Sequence, residues 1–211
     1  MPVSGAKLQA TLVLHELRSI RAEVTVLLLP QRAQVTNSSA SGNFRNMLRE
    51  ISAGGVVIRN RNGIRWMAVI EPAGNPSGTT GQSRPTAKRL RTVLALPKGL
   101  VDPGEKPLET ALREVHEETG ITAELVTKLA DIKYVYTRAW GDGQRVFKIV
   151  SFYLMRYVSG RVNKITPEMR IEVARAHWIR LQDAPRLLAY KGEKQMAQRA
   201  LEYVQAHAEL E

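Results

Sequence analysis

The clearest hydrophobic periodicity in the chain lies between Pro107 and Gly120. Leu108, Ala111, Leu112, Val115 and Thr119 recur at intervals of three and four. That spacing predicts a helix with one apolar edge turned toward a core. Glu114, Glu117 and Glu118 fall together on another edge of the same helix. Proline suits the first turn, Glu105 and Glu109 suit the positive end, and Gly120 suits the C-terminal stop. One element is therefore half core and half acid cluster. Like charges four apart, as in Glu114 and Glu118, destabilise a bare helix by roughly 0.2–0.5 kcal/mol. A bound hard cation turns that repulsion into coordination, because Mg2+ and Ca2+ favour carboxylate oxygens.

The rest of the pattern is mostly strand. SAGGVVIRN reads as a strand reached through two glycines. Asn60-Arg61-Asn62-Gly63 reads as a hairpin turn and IRWMAVIEP as the partner strand. AGNPSGTTGQSRPTAKRLR has loop composition and a basic end at Arg84, Lys88, Arg89 and Arg91. TVLALP predicts a short strand that delivers the chain to Lys98 and Gly99. Beyond the helix, ITAELVTKLA and DIKYVYTRAW predict two strands. Gly141-Asp142-Gly143 predicts a turn and RVFKIVSFYLMRYV a long strand. A loop from Ser159 to about Met169 leads to a last strand, EVARAHWIRL. Asp183 and Pro185 open a short helix. Lys194 to His207 has helical spacing, with Met196, Ala200, Leu201 and Val204 inward. Runs of strands, helices at a few points and no regular βα alternation predict an α/β (α+β) fold built on a mixed sheet.

Residues 1–48 read as an N-terminal extension to a main domain of residues 49–211. Within it, Lys7 to Ile20 has helix-like spacing and Ala22 to Leu29 reads as a short strand. A polar stretch, QRAQVTNSSASGN, has the composition of a linker.

Composition narrows the chemistry. A length of 211 residues allows one substantial core plus extensions. There is no cysteine, which excludes disulfides, thiolate catalysis and Cys-ligated metals. The four histidines lack metal-ligand spacing, which argues against a His-based zinc site. A net charge of +11 suits a polyanionic partner, or else lysines and arginines that simply face water. No apolar run reaches the roughly 20 residues of a membrane span. The best stretch, VTVLLLP, is short and is preceded by Glu16 and Glu23, which suits no secretion leader. A cytoplasmic protein with no membrane partner is expected, and its oligomeric state stays open.

Gly99, Glu105, Arg113, Glu114, Val115, Glu117, Glu118, Gly120 and Ile121 match, at every position and spacing, the 23-residue signature of the Nudix hydrolases. Residues 51–190 resemble one Nudix domain. The resemblance implies a Nudix-type α/β/α sandwich around a mixed β-sheet. It also implies that Glu114 and Glu118 are principal metal ligands, joined by Glu117 and the Gly99 carbonyl. Arg113 looks like the partner that orients the glutamates. Glu105 would stand behind the ligands, shaping the loop or holding a metal-bound water. Many Nudix domains carry a glutamate in the relation that Glu172 has to Trp178. Glu172 is accordingly the candidate for an extra ligand or general base, with Glu168 as the alternative.

On the substrate side, Lys148, Val150 and Tyr153 resemble a pattern found in a Nudix subgroup. Its members act on dinucleoside polyphosphates, oxidised nucleotides and diphosphoinositol polyphosphates. Lys98, Arg145 and Lys148 are candidates for phosphate contacts. Tyr134 and Tyr136 point the same way on one strand, either to stack a base or to pack in the core. The resemblance implies Mg2+-dependent hydrolysis, with Mn2+ as a substitute, of a small-molecule polyphosphate. A diadenosine polyphosphate or an oxidised nucleoside triphosphate comes first. A diphosphoinositol polyphosphate or an RNA 5′ end is the alternative. A non-catalytic module that only binds a nucleotide is the contrasting class.

Overall fold

The computed structural model describes residues 47–73, 92–137 and 144–207. The expected helix and strand before residue 47, the basic end of the long loop and the Gly141-Asp142-Gly143 turn lie outside the described residues. The described strands are β1 (Leu48–Arg61), β2 (Ile64–Pro72), β3 (Lys98–Leu100), β4 (Ile121–Thr137), β5 (Arg145–Gly160) and β6 (Val173–Arg180). The helices are α1 (Pro107–Thr119), α2 (Ala184–Leu187) and α3 (Lys191–Ala206). The chain divides into two compact units. One joins residues 50–133 to residues 149–211, and the other contains residues 134–148.

The sheet order is β4-β5-β1-β2-β6, with β3 added to β1. Arg61 pairs with Ile64, leaving a two-residue loop in which Asn62 and Gly63 both have positive φ, 54° and 71°. That is the loop whose twist matches two antiparallel strands. β1 lies beside β5 on one side and serves two partners in turn on the other. Ile58–Arg61 pair antiparallel with β2, and Ser52–Gly54 pair antiparallel with β3. β2 continues antiparallel to β6, from Trp66 opposite Arg180 to Pro72 opposite Val173.

α1 covers one face of this sheet. Ala111 and Val115 are buried against Ala53, Val57, Ala68 and Met155, while Leu108, Leu112 and Trp178 pack around them. Full burial of a side chain such as Val115 stabilises by about 1.5–3 kcal/mol. The contact is close enough that a Cβ on Gly55 would lie 2.5 Å from Val115 Cγ2 and 2.9 Å from Met155 Sδ. On α3, Met196, Ala197, Ala200 and Val204 are buried.

Three expectations shift. TVLALP is not a strand: Ala95 makes one bridge to Ile70, and the strand proper is Lys98–Leu100. Pro97 has no N–H to give to a ladder, and the Leu96 N–H goes to the Glu193 carboxylate instead. The two strands expected after α1 are one, Ile121–Thr137. Asp131, the polar residue at the expected break, stays in the strand because Ser151 Oγ donates to it at 2.8 Å and Lys128 Nζ pairs with it at 2.7 Å. α3 begins at Lys191 rather than Lys194, and its first turn includes Gly192, which packs against Ile132 with no room for a side chain.

Candidate active site

α1 carries the site, and both of its ends are fixed locally. The Lys106 N–H donates to Glu109 Oε2 at 2.9 Å, a carboxylate placed on the positive end. At the other end Gly120 is left-handed, with φ 75°, and its N–H closes on the His116 carbonyl at 2.8 Å.

Arg113 is the hub of the acid edge. Its Nε and Nη2 donate to the two Glu105 oxygens at 3.0 and 2.9 Å, a two-point pairing of the strong kind. Its Nη1 donates to Glu114 Oε1 at 2.8 Å and to Glu117 Oε2 at 3.0 Å. Nη2 also reaches the Leu100 carbonyl at 3.3 Å. The guanidinium holds the Glu105 carboxyl down at about 2. Glu105 therefore braces Arg113 and the turn after β3, consistent with a place behind the ligands.

Glu114 and Glu118 are different in kind. They are 8% and 5% exposed. Burial pushes Glu114 up to about 7, against the pull of Arg113. Burial pushes Glu118 up to about 8, against the pull of Lys98. Both are tied to β3. The Lys98 backbone N–H donates to Glu118 Oε2 at 2.8 Å. The Glu114 carboxylate occupies the space that a Cβ on Gly99 would fill. Any side chain at position 99 would displace it. Glu117 is more open and pairs with Arg113.

Glu172 joins them from another part of the chain. It closes the short turn Met169–Ile171 just before β6, its N–H on the Met169 carbonyl at 3.0 Å. Its own carbonyl accepts the Ala73 N–H at 2.7 Å, which anchors it beside the end of β2. Its charge raises the proton affinity of both Glu114 and Glu118, and burial together with Glu117 raises its own. Glu168 does not share this environment. It is exposed, and its carboxyl is lowered by its own backbone N–H and by Thr166.

The donor set is all oxygen, which fits a hard divalent cation and no softer metal. Among the described residues no three acidic or imidazole side chains are close enough together, as they stand, to hold a metal ion. An open arrangement still fits Mg2+, which is usually held by one or two carboxylates and several waters. Arg113 orients Glu114 and Glu117, and the Lys98 N–H orients Glu118.

The other expected residues fall in two places. Lys98 lies beside Gly99 with its Nζ 3.6 Å from Glu193 Oε1. Tyr134 and Tyr136 on β4 have ring centroids 6.3 Å apart, as expected for alternate residues of one strand face. They share the smaller unit with Arg145 and Lys148 of β5. Glu193 is the residue that motif reading missed. It accepts the Leu96 N–H at 2.9 Å and is buried. A signal was present: Glu193, Met196, Ala197, Ala200 and Val204 form one inward stripe on α3, and a charge on such a stripe needs a partner.

A NUDIX domain model matches residues 50–200. The chain belongs to the Nudix family. Nudix hydrolases generally use divalent metal ions, in keeping with the oxygen donors gathered here. The MutT4 protein of Mycobacterium tuberculosis is 35% identical over 157 residues, which cover 74% of this Nudix chain and 56% of that protein. The chain thus spans little more than half the length of that relative. The mouse asymmetrical bis(5′-nucleosyl)-tetraphosphatase is 33% identical over 114 residues, 51% of this chain and 69% of that enzyme. In fold, the chain resembles the Ap4A hydrolase of C. elegans in a binary complex. The TM-score is 0.55 at 20% identity, covering 74% of this chain and 98% of that one. No helix among the described residues is long and apolar enough to cross a membrane.

Proposed function

We propose that this Nudix protein is a Mg2+-dependent pyrophosphohydrolase, with Mn2+ able to substitute. It cleaves a phosphoanhydride in a nucleoside diphosphate linked to another moiety. The observation that carries this is the acid edge of α1, where the charge of a fourth carboxylate is also felt. Glu114, Glu117 and Glu118 stand on one helix edge, and Glu172 enters their electrostatic neighbourhood from the approach to β6. Glu114, Glu117, Glu118, Glu172 and the Gly99 carbonyl would hold the metal. An ion bound there would supply charge neutralisation for the phosphates and a more acidic water.

The chain's own residues do the rest. Arg113 holds Glu114 and Glu117 in register and is itself held by Glu105. Glu172 is the candidate for an extra metal ligand or for the base that accepts the proton of the attacking water. Lys98, Arg145 and Lys148 are the candidates for phosphate contacts, and Tyr134 and Tyr136 for stacking on a base. The substrate class we favour is a nucleoside polyphosphate, either a diadenosine polyphosphate or an oxidised nucleoside triphosphate. The mouse tetraphosphatase, 33% identical, supports it. The net charge of +11 favours one second reading, a larger polyanion such as a diphosphoinositol polyphosphate or an RNA 5′ pyrophosphate. We assign residues 49–211 to the hydrolase domain and residues 1–48 to an extension. We also infer a cytoplasmic location.

The test is turnover of a panel with Mg2+ in 18O water. It comprises dinucleoside polyphosphates, nucleoside triphosphates, nucleotide sugars, diphosphoinositols and 5′-triphosphorylated RNA. Labelled product identifies the phosphorus attacked. Glu118→Gln should fold and lose most activity; full activity in that variant overturns the metal-ligand assignment. Tight binding of a panel member without turnover would turn the reading to a nucleotide sensor.

A further inference from the structure

β3 is three residues long, and its two faces lead to different helices. Gly99 faces α1, where the Glu114 carboxylate fills the space of its absent side chain. Lys98 faces the other way. A Cβ on its partner Gly54 would lie 2.6 Å from Lys98 Cβ and 3.0 Å from Phe152 Cε1, so the Lys98 stem runs over that glycine. Its ammonium then meets Glu193 at 3.6 Å. The second Glu193 oxygen accepts the Leu96 N–H at 2.9 Å, so one carboxylate grips the chain on both sides of Pro97. Glu193 is 4% exposed and comes from the first turn of α3. Lys98 meanwhile gives its backbone N–H to Glu118. A single residue thus touches a motif glutamate with its backbone and a glutamate outside the motif with its side chain.

We propose that Glu193 is a positioning residue for the acid edge of α1. By drawing the Lys98 ammonium toward α3, it keeps that cation off the Glu118 carboxylate, while the Lys98 backbone N–H fixes how Glu118 is turned. Lys98 already acts electrostatically on both carboxylates. With Glu193 neutralised, Glu118 is the remaining buried acid toward which the ammonium can turn, and its ionised form pairs with it. An ion pair there competes with a divalent cation for the same oxygens. This rests on Glu118 being a metal ligand, as proposed above. It assigns the C-terminal helix a part in metal loading, through a side chain that never touches the ion.

The test is a double-mutant cycle read by calorimetric titration of the full chain with Mn2+ alone. Glu193→Gln keeps an acceptor for the Leu96 N–H and removes the charge; Lys98→Met removes the cation and keeps the stem. Glu193→Gln is expected to weaken Mn2+ binding by about tenfold. In the double variant, affinity should return to within about twofold of Lys98→Met. An equal loss in both backgrounds, or none in either, overturns the proposal. Lys98→Met is a second arm should Glu193→Gln not fold: it should bind Mn2+ at least as tightly as the unmodified chain, and a loss beyond about twofold overturns the proposal. Because Mn2+ is titrated without substrate, a chain that binds it but hydrolyses no pyrophosphate sinks the enzymatic reading and leaves the cycle to decide Glu193. A chain that binds no Mn2+ sinks both.

Discussion

Removing divalent metal should make this protein less stable as the pH rises, and restoring it should cancel the effect. The cause is Glu118, whose carboxyl moves from 4.5 in the open chain to about 8 when buried. Below pH 4.5 folded and unfolded chains both hold the proton. Between the two values only the folded chain holds it, and above about 8 neither does. Stability present at low pH is therefore lost as pH climbs through the folded value. Each tenfold change in proton affinity is worth about 1.4 kcal/mol, which sets a ceiling of about 5 kcal/mol. Water entry and movement of the Lys98 ammonium lower it, leaving a working figure of about 2–3 kcal/mol. For a domain of this size that is a fall of roughly 4–12 °C in melting temperature. Glu114, pushed up to about 7, acts in the same direction over a lower window.

The assay is a melting curve in chelator at pH 5.5 and 8.5, repeated with Mg2+. The midpoint should drop at the higher pH, recover with Mg2+ there, and respond little to Mg2+ at pH 5.5. Overall charge works the other way, since +11 shrinks as pH approaches a pI of about 10.2. Glu118→Gln supplies the reference, because it keeps that background and lacks the titrating group. If it loses as much between the two pH values as the unmodified chain does, burial of Glu118 is not the cause.

Two further outcomes follow from named contacts. Gly99→Ala places a methyl on the Glu114 carboxylate and breaks its bond to Arg113. A charged hydrogen bond of this type is worth about 1.5–3 kcal/mol, and Mn2+ affinity should fall by about 10–100-fold with the fold intact by circular dichroism. Glu105→Gln loosens the grip on Arg113. Because the Glu105 carboxyl is held down at about 2, its stabilising effect is present above pH 4.5 and fades as pH falls toward 2. Urea midpoints of the variant and the unmodified chain should differ at pH 7 and converge near pH 2.5; a constant gap counts against the pairing.

Local order carried the helix, its caps, the β1–β2 hairpin and the box, because all are set by residues within a few positions of each other. Asn62-Gly63 needs only positive φ, and α1 needs only its apolar stripe and Gly120. What escaped depends on residues far apart. The missing strand at TVLALP is explained by Glu193, 97 residues from the Leu96 amide it accepts. The continuity of β4 depends on Ser151, whose hydroxyl satisfies Asp131 across the sheet. Within the site, the spacing rule named the glutamates but not their division of labour. Arg113 pairs with four carboxylates at once, while Glu118 avoids it and leans on a backbone amide. Glu172 was reached through its distance from Trp178, and the structure puts it near the box through an Ala73 hydrogen bond that no local pattern encodes.

The strand pairing also sets a timetable for folding. β2 is an inner strand only once β6 has docked, and Met67 must wait for Ile179. Until then a ribosome-bound chain presents the open side of IRWMAVIEP, a row of unpaired peptide groups beside apolar residues. Closing loops of that length makes such pairings slow relative to helix formation. The box helix can form early, yet Glu172 reaches it only with the segment that completes the sheet. Assembly of the acid cluster therefore reports that nearly the whole domain has folded. Conditions that delay β6 should yield aggregated chains rather than soluble, partly active ones.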